Sequence, residues 1–460
     1  MDKSWREYAP AGCAALGGLL LAGTAAVCAG LDRGGWLDHA GVAAVLLALA
    51  ALSALLLRLE GCGRDALLKM LPFIGFAFLV RALCLDYAGT DYTNFLTGWY
   101  AFFQQNGGFA AIAHAVGDYN VPYLYFMAFI SYLPVPDLYL IKLFSIVFDV
   151  VLAWGCFRLV RAVSGGGRGD LAPRIAFGAA LFLPTVVLNG AYWGQCDVIY
   201  GALVVQALAA VLEGRNKTSV ALMALAFSFK LQAIFVLPLW GVLWLAGKVK
   251  FRELWVFPLT YVLVIIPAVL LGKPLSDTLL VYLNQMGEYP RLVLNAPSIY
   301  QLVPYSITTV TDRGDPVWQV LSKAGTIAAA LVVLALLWLG WRLGKRLGRR
   351  TGLALAVVLA IAVPFLLPHM HERYFFLADV ITLCWACSDP RRVPAAVLAE
   401  ASSLASYRVF LRLKFNWLIT IGEHSFGMLP EMFAMLAALA CAVKGLADCL
   451  RRNPTEEELG

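Results

Sequence analysis

From residue 9 to residue 449 the chain repeats one pattern, an apolar run of about 20 residues followed by a short polar break. Such runs are long enough to cross a bilayer. Lipid offers no partner to backbone amides, so a crossing segment must satisfy its hydrogen bonds internally, as a helix does. Composition agrees: 61% of residues are hydrophobic and only 14% charged, where water-soluble domains hold about a quarter charged. The chain reads as an integral membrane protein. Its net charge of +7 gathers in a few loops, where it reports topology rather than affinity for nucleic acid. The ten cysteines are scattered through apolar runs and read as small packing residues, not as a disulfide framework.

Basic loops assign the sides of the membrane. Arg58, Arg64 and Lys69 mark the first cytoplasmic loop, Arg158 to Arg174 the second, and Arg215 with Lys217 the third. Lys248, Lys250 and Arg252 follow, then the strongest group, Arg342 to Arg350, and finally Arg451 and Arg452. Spans are expected at 9–29, 38–58, 70–86, 138–160, 174–190, 197–213, 253–272, 317–342, 352–367, 374–388, 393–410 and 427–449. The apolar stretch 218–247 is interrupted by Lys230 and Gln232 and reads as two half-length segments meeting at Lys230. That makes fourteen spans, twelve or thirteen being also compatible, with both termini cytoplasmic. Residues 121–133, bracketed by Pro122 and Pro134, are expected to lie on or dip into the membrane, since a full crossing would put the Arg158–Arg174 loop outside. Residues 1–69 form two N-terminal helices, 70–410 a central module with outer loops 86–137 and 273–316, and 411–460 a last helix and tail.

On this topology the acid- and histidine-bearing loops share the outer face. The densest is Leu367-Pro368-His369-Met370-His371-Glu372-Arg373-Tyr374, with two of the five histidines. Charge at a span's mouth is expensive to keep, although a solvated loop or a helix anchor would account for it too. Glu372 and Arg373 are adjacent, and on a helix neighbours diverge by about 100°, so a direct pair between them is not expected. Asp91, Phe95 and Trp99 recur every four residues, as on one helix face. Lys142 and Asp149, seven apart, are expected to pair within a span, and Arg408, Arg412 and Lys414 to anchor at the interface. Gly190-Ala191-Tyr192-Trp193-Gly194-Gln195-Cys196-Asp197 is either a capping turn or a sugar site, with hydroxyls on Asp197 and Gln195 and a ring on Trp193.

Four of these elements occur in order: Asp91-x3-Phe95-x3-Trp99, Trp193-Gly194-Gln195-x-Asp197, Phe229-Lys230-Leu231-Gln232 ending at Pro238, and Met370-His371-Glu372-Arg373-Tyr374. Together they resemble bacterial relatives of the GPI-anchor mannosyltransferases, members of the GT-C membrane glycosyltransferases, over residues 80–410. Asp118-Tyr119-Asn120-Val121-Pro122 is similar to that group's Asp-Tyr-x-Pro element, with its proline displaced. The resemblance implies an all-α polytopic GT-C-like bundle of about 12–14 transmembrane helices with a catalytic first outer loop. It further implies transfer of a hexose, mannose in the first place, from a polyprenyl-phosphate donor to a lipid-linked or cell-envelope acceptor hydroxyl, with inversion, outside the inner membrane. Such a displacement needs a carboxylate for the acceptor proton and cations for the leaving phosphate. Asp91 is the expected base and Asp197 the runner-up. Lys230, His369, His371 and Arg373 are the expected phosphate ligands. Trp99, Asp118, Trp193, Gln195, Gln232 and Glu372 are expected to hold sugar or acceptor. No cofactor is expected; a divalent cation on His369, His371 and Glu372 is the lesser alternative. A lipid or sugar transporter or flippase, and a lipid-linked glycan ligase, are the competing functions.

Overall fold

A computed structural model describes residues 3–117, 119–165, 171–285, 290–408, 411 and 419–452, the side chains of 3–9, 284 and 285 excepted. The protein is an all-α polytopic membrane protein. Among the described residues eight helices are long and apolar enough to cross a membrane, nine if the pair Leu171–Phe182 and Pro184–Tyr192, bent by 44°, counts as one span. The only strands described there are two short pairings.

Several expected spans are short. Asp197–Leu212, Leu231–Leu245 and Phe376–Ser388 are apolar helices of 10–17 residues, and Val393–Tyr407 has 15 residues. At 1.5 Å per residue 15 residues make about 22 Å, less than the roughly 30 Å hydrocarbon core. Burial explains the shortness: Phe376–Ser388 is covered along most of its length, and a helix packed in protein does not have to match the lipid. Val121–Ile130, expected at the interface, is a ten-residue helix entered through Asn120, whose side chain accepts from the Val121 amide, and Pro122.

The chain divides into two compact units. The first comprises Met1–Gln206 and Val264–Thr278, the second Ala207–Leu263 and Leu279–Gly460.

In the first unit, helices Lys3–Ala29 and Arg64–Leu83 cross through glycine. A Cβ on Gly17 would stand 2.7 Å from Leu71 Cβ and 2.8 Å from its carbonyl carbon, so only hydrogen fits, the small-residue packing typical of membrane helices. The loop after the first helix is tied down: the Asp32 amide donates to Asp86 Oδ1 (3.1 Å), and the Arg33 amide to the Tyr139 hydroxyl (2.9 Å), which itself donates to Asp86 (2.6 Å). Lys142 and Asp149, both on helix Asp137–Ser164, do not pair. Asp149 instead binds Arg81 at 2.7 Å, both side chains fully buried. Lys142 Nζ donates to the carbonyls of Cys84 (2.7 Å), Leu85 (3.0 Å) and Tyr87 (2.7 Å). The end of helix Arg64–Leu83 leaves those acceptors without helical partners, and the ammonium nearest to them takes them.

In the second unit the expected interruption at Lys230 is present. Helix Asn216–Phe229 stops at Lys230, which is extended (φ −155°), a 3-10 turn follows at Leu231–Phe235, and Pro238 starts helix Pro238–Leu245. Helix Arg349–Leu366 is buried nearly throughout and packs on Leu429–Arg451, Phe376–Ser388 and Pro316–Leu343. The ten cysteines form no disulfide among the described residues.

Candidate active site

In the first unit the segment after helix Arg64–Leu83 includes a π-helical turn, Tyr92–Leu96, which runs into helix Thr97–Gln105. The Tyr92 hydroxyl donates to Asp137 Oδ1 at 2.9 Å and stitches this turn to the next long helix. Burial, then the Asp137 carboxylate, push the phenol up to about 12, so it stays a donor. Asp91 precedes the turn and makes no capping bond with its side chain. It accepts from Gln195 Nε2 at 2.5 Å instead. Two motifs separated by 104 residues thus share one charge-assisted hydrogen bond.

The Gln195 side of that contact is held firmly. Leu188–Tyr192 is a second π-helical turn, and Gly194 takes a left-handed φ of +79°, which a side chain would resist. The Gln195 amide donates to the Asn189 carbonyl (2.8 Å) and its carbonyl accepts from Ser145 (2.7 Å). Trp193 is buried rather than open to a sugar face; a Cβ on Gly89 would sit 3.5 Å from its ring. Asp197 is fully buried and accepts from Asn189 Nδ2 at 2.7 Å, while its amide donates back to Asn189 Oδ1 at 3.2 Å. This reciprocal pair starts helix Asp197–Leu212. Trp99 lies further along the loop, edge-on to Tyr119 at 5.6 Å and 6.4 Å from Phe95. Asp118 lies outside the described residues. Asn189 was not expected; the one signal for it is a lone amide inside the apolar run 174–190.

In the second unit, residues 367–375 join the packed helices Arg349–Leu366 and Phe376–Ser388, at the mouth of that pair as expected, through more than a plain turn. Met370–His371 forms a parallel strand pairing with Val293–Leu294, and Asn295 bridges to His371. His369, at φ +65°, donates its amide to the Leu292 carbonyl (2.8 Å), and its Nδ1 meets the Arg291 carbonyl at 2.7 Å. Nδ1 must therefore carry the proton there. Burial, with Arg313 nearby, holds this imidazole below its usual range against the pull of the Arg291 carbonyl. His369 thus clamps its own turn to the 291–292 stretch.

Glu372 and Arg373 do pair, Nε to Oε1 at 3.2 Å. The helical argument against it fails because residues 372–375 form a turn, where adjacent side chains can meet. Glu372 is fully buried, its carbonyl accepts from Ser406 (3.0 Å), and His371 Nδ1 lies 4.0 Å from its other oxygen. The His371 ring sits 5.1 Å from Tyr374, and Tyr374 6.2 Å from Phe235. Through these rings the turn carrying Gln232 meets the His371–Tyr374 stretch. Lys230 and Gln232 are both buried. Arg408 pairs with Glu431; Arg412 and Lys414 lie outside the described residues. No three His, Cys, Asp or Glu side chains among the described residues gather as a metal site would require.

Residues 119–368, over half of the chain, match glycosyltransferase family 87. The chain belongs to that family. Among curated proteins nothing matches it. Membership in glycosyltransferase family 87 favours the enzyme over the transporter or flippase. The matched segment of this family 87 chain includes Trp193, Gln195, Asp197, Lys230 and Gln232, and ends just before His369. Asp91, Trp99 and the His369–Arg373 stretch lie beyond it, so their roles rest on chemistry alone.

Proposed function

We propose that this membrane glycosyltransferase is of the GT-C type and inverting, and that it moves a hexose, mannose in the first place, from a polyprenyl-phosphate carrier to an acceptor hydroxyl outside the inner membrane. The Asp91–Gln195 contact carries the reading. It leaves Asp91 a carboxylate on an outer-loop turn, fixed by a neutral amide that does not consume its charge. In the displacement the acceptor oxygen bonds to the anomeric carbon as the carbon–phosphate oxygen bond breaks, and Asp91 takes the acceptor proton. Asp197, enclosed by Asn189, serves the fold of the turn. Arg373 and Lys230 are the phosphate ligands, with His371 beside them. Glu372 offsets one of these charges and orients the guanidinium, so an incoming phosphate meets a net positive stretch.

The test is donor consumption by purified protein with polyprenyl-phosphate mannose, glucose and galactose. Asp91→Asn is expected to lose turnover while melting like wild type; wild-type turnover in that variant removes Asp91 from the chemistry. Sidedness is tested in a cysteine-free background. Asn94→Cys and Thr311→Cys, both exposed, should label with an impermeant maleimide in intact cells, and Lys345→Cys should label only after lysis. The reverse pattern would place the chemistry with nucleotide sugars in the cytoplasm.

A further inference from the structure

Three helix ends of the second unit meet at one level. Gly340 lies so close to Val242 that an added Cβ would stand 2.6 Å from its Cγ1 and 2.8 Å from its carbonyl oxygen. That contact locks the end of helix Pro238–Leu245 to the end of helix Pro316–Leu343. The chain then turns through Gly344–Arg346 and begins helix Arg349–Leu366, which packs on both. Lys248, Lys345, Arg346, Arg349 and Arg350 consequently gather at the same end. Their mutual repulsion is felt: burial, then Arg349 and Lys345, push the Lys248 ammonium below its usual range. Nearby acids are engaged. Glu253 accepts from the Lys250 amide (2.8 Å) and from Asn216 (3.0 Å), and Glu213 pairs with Arg215. Helix Arg349–Leu366 starts at Gly348, which has no side chain to cap it, so its first amides face this cationic end.

A second feature says which anion belongs there. Trp244, Phe251, Trp255, Trp338 and Trp341 are all exposed, within about two turns of these cations. Trp244 and Phe251 lie 5.6 Å apart, Phe251 and Trp255 6.4 Å, and the Arg342 guanidinium stands 5.7 Å from the Trp338 ring centre. Exposed indoles at this depth are the belt that sits at the headgroup level of a bilayer. Cations immediately past that belt meet lipid phosphates before they meet bulk water. Cationic loops also set topology, but topology requires only charge on one side, not cations from three helix ends brought to one junction.

We propose that the junction of residues 242–248 and 340–350 is a binding site for the phosphate headgroup of an anionic phospholipid of the cytoplasmic leaflet. The phosphate draws the cations together and the indoles flank the glycerol and upper chains. Each cation near such a surface contributes about fivefold in affinity, and three together about a hundredfold.

The experiment uses the full-length protein in nanodiscs of phosphatidylcholine alone or mixed with phosphatidylglycerol. It reads melting temperature and the phospholipid retained after exchange into detergent, by mass spectrometry. Wild type is expected to retain phosphatidylglycerol and to melt higher in its presence. The triple variant Lys345→Gln, Arg346→Gln, Arg349→Gln should lose both effects, and the single variant Arg349→Gln, which leaves the other cations to hold topology, should bind about fivefold more weakly. Asn94→Cys labelling checks orientation. Retention of phosphatidylglycerol by the triple variant as by wild type overturns the proposal. So does an equal rise in melting temperature from inorganic phosphate in phosphatidylcholine discs, which would assign the cations to a soluble anion.

Discussion

Removing Arg81 should expose what the buried ion pair does for the first unit. Its Nε donates to Asp149 Oδ2 at 2.7 Å, and Nη1 donates to the carbonyls of Ala77 and Leu181 at 3.0 Å each. Arg81→Met keeps much of the side-chain volume but strands the carboxylate. The lost bond to a charged group is worth about 1.5–3 kcal/mol and the Leu181 contact about 1 kcal/mol. The sum, roughly 2.5–4 kcal/mol, overlaps the cost of about 3–5 kcal/mol for breaking a buried pair from one side. For a unit of about 200 residues that lowers the melting temperature by about 10 °C. The double variant Arg81→Met, Asp149→Leu removes both charges and should recover most of the loss, since a well-packed apolar pair can equal a buried salt bridge. The assay is melting temperature and activity half-life in detergent for all four proteins. Single variants that melt within a degree or two of wild type, or a double variant that equals the sum of the singles, would refute the reasoning.

Lys142→Met should cost about 2–4 kcal/mol by unmaking three carbonyl contacts, and should lower turnover at least tenfold with little change in donor KM, because those carbonyls lead into Asp91; normal kcat in purified protein would show that the ammonium does not hold that loop. Gly17→Ala should destabilise by about 1–3 kcal/mol through overpacking against Leu71. Gly18→Ala, where an added Cβ meets nothing within 4 Å, should stabilise by up to about 1 kcal/mol from helix propensity; paired melting curves read the contrast. His369, its imidazole held below the usual range, binds its proton less readily folded than unfolded. Its contribution is therefore present above the ordinary imidazole pKa near 6.5 and is lost as pH falls through that value and then through the lower folded one. His369→Asn, which tolerates the left-handed backbone, should flatten the fall in melting temperature between pH 7 and pH 5; parallel curves for the two proteins would remove His369 from the effect.

Much of this was legible in the sequence, where it depended on hydropathy or on residues that break helices. The apolar runs announced the helices, and Lys230 with Pro238 announced the interruption. Partner choice was not legible. Asp149 finds Arg81 from 68 residues away, while the nearer Lys142 is taken by carbonyls that exist only because one helix ends beside another. Glu372 and Arg373 were misjudged because their backbone state was assumed helical, and no pattern in Val293–Leu294 foretells a two-residue parallel pairing with Met370–His371. The Asp91–Gln195 contact lay between two motifs that could each be read, but nothing in either stretch names the other as its partner.

The interruption at Lys230 also bears on how the chain enters the membrane. Asn216–Phe229 has 14 residues and Pro238–Leu245 has 8, about 21 Å and 12 Å of helix. Neither reaches across about 30 Å of hydrocarbon, so neither can partition into lipid alone as a stable span. They must insert as a hairpin, with the Lys230 ammonium kept out of lipid until neighbouring helices enclose it. Biogenesis of this stretch is then a cooperative step that waits for helix Arg349–Leu366, more than a hundred residues later in synthesis. A chain stalled before that helix emerges would leave a half-inserted, cationic hairpin for membrane quality control to recognise.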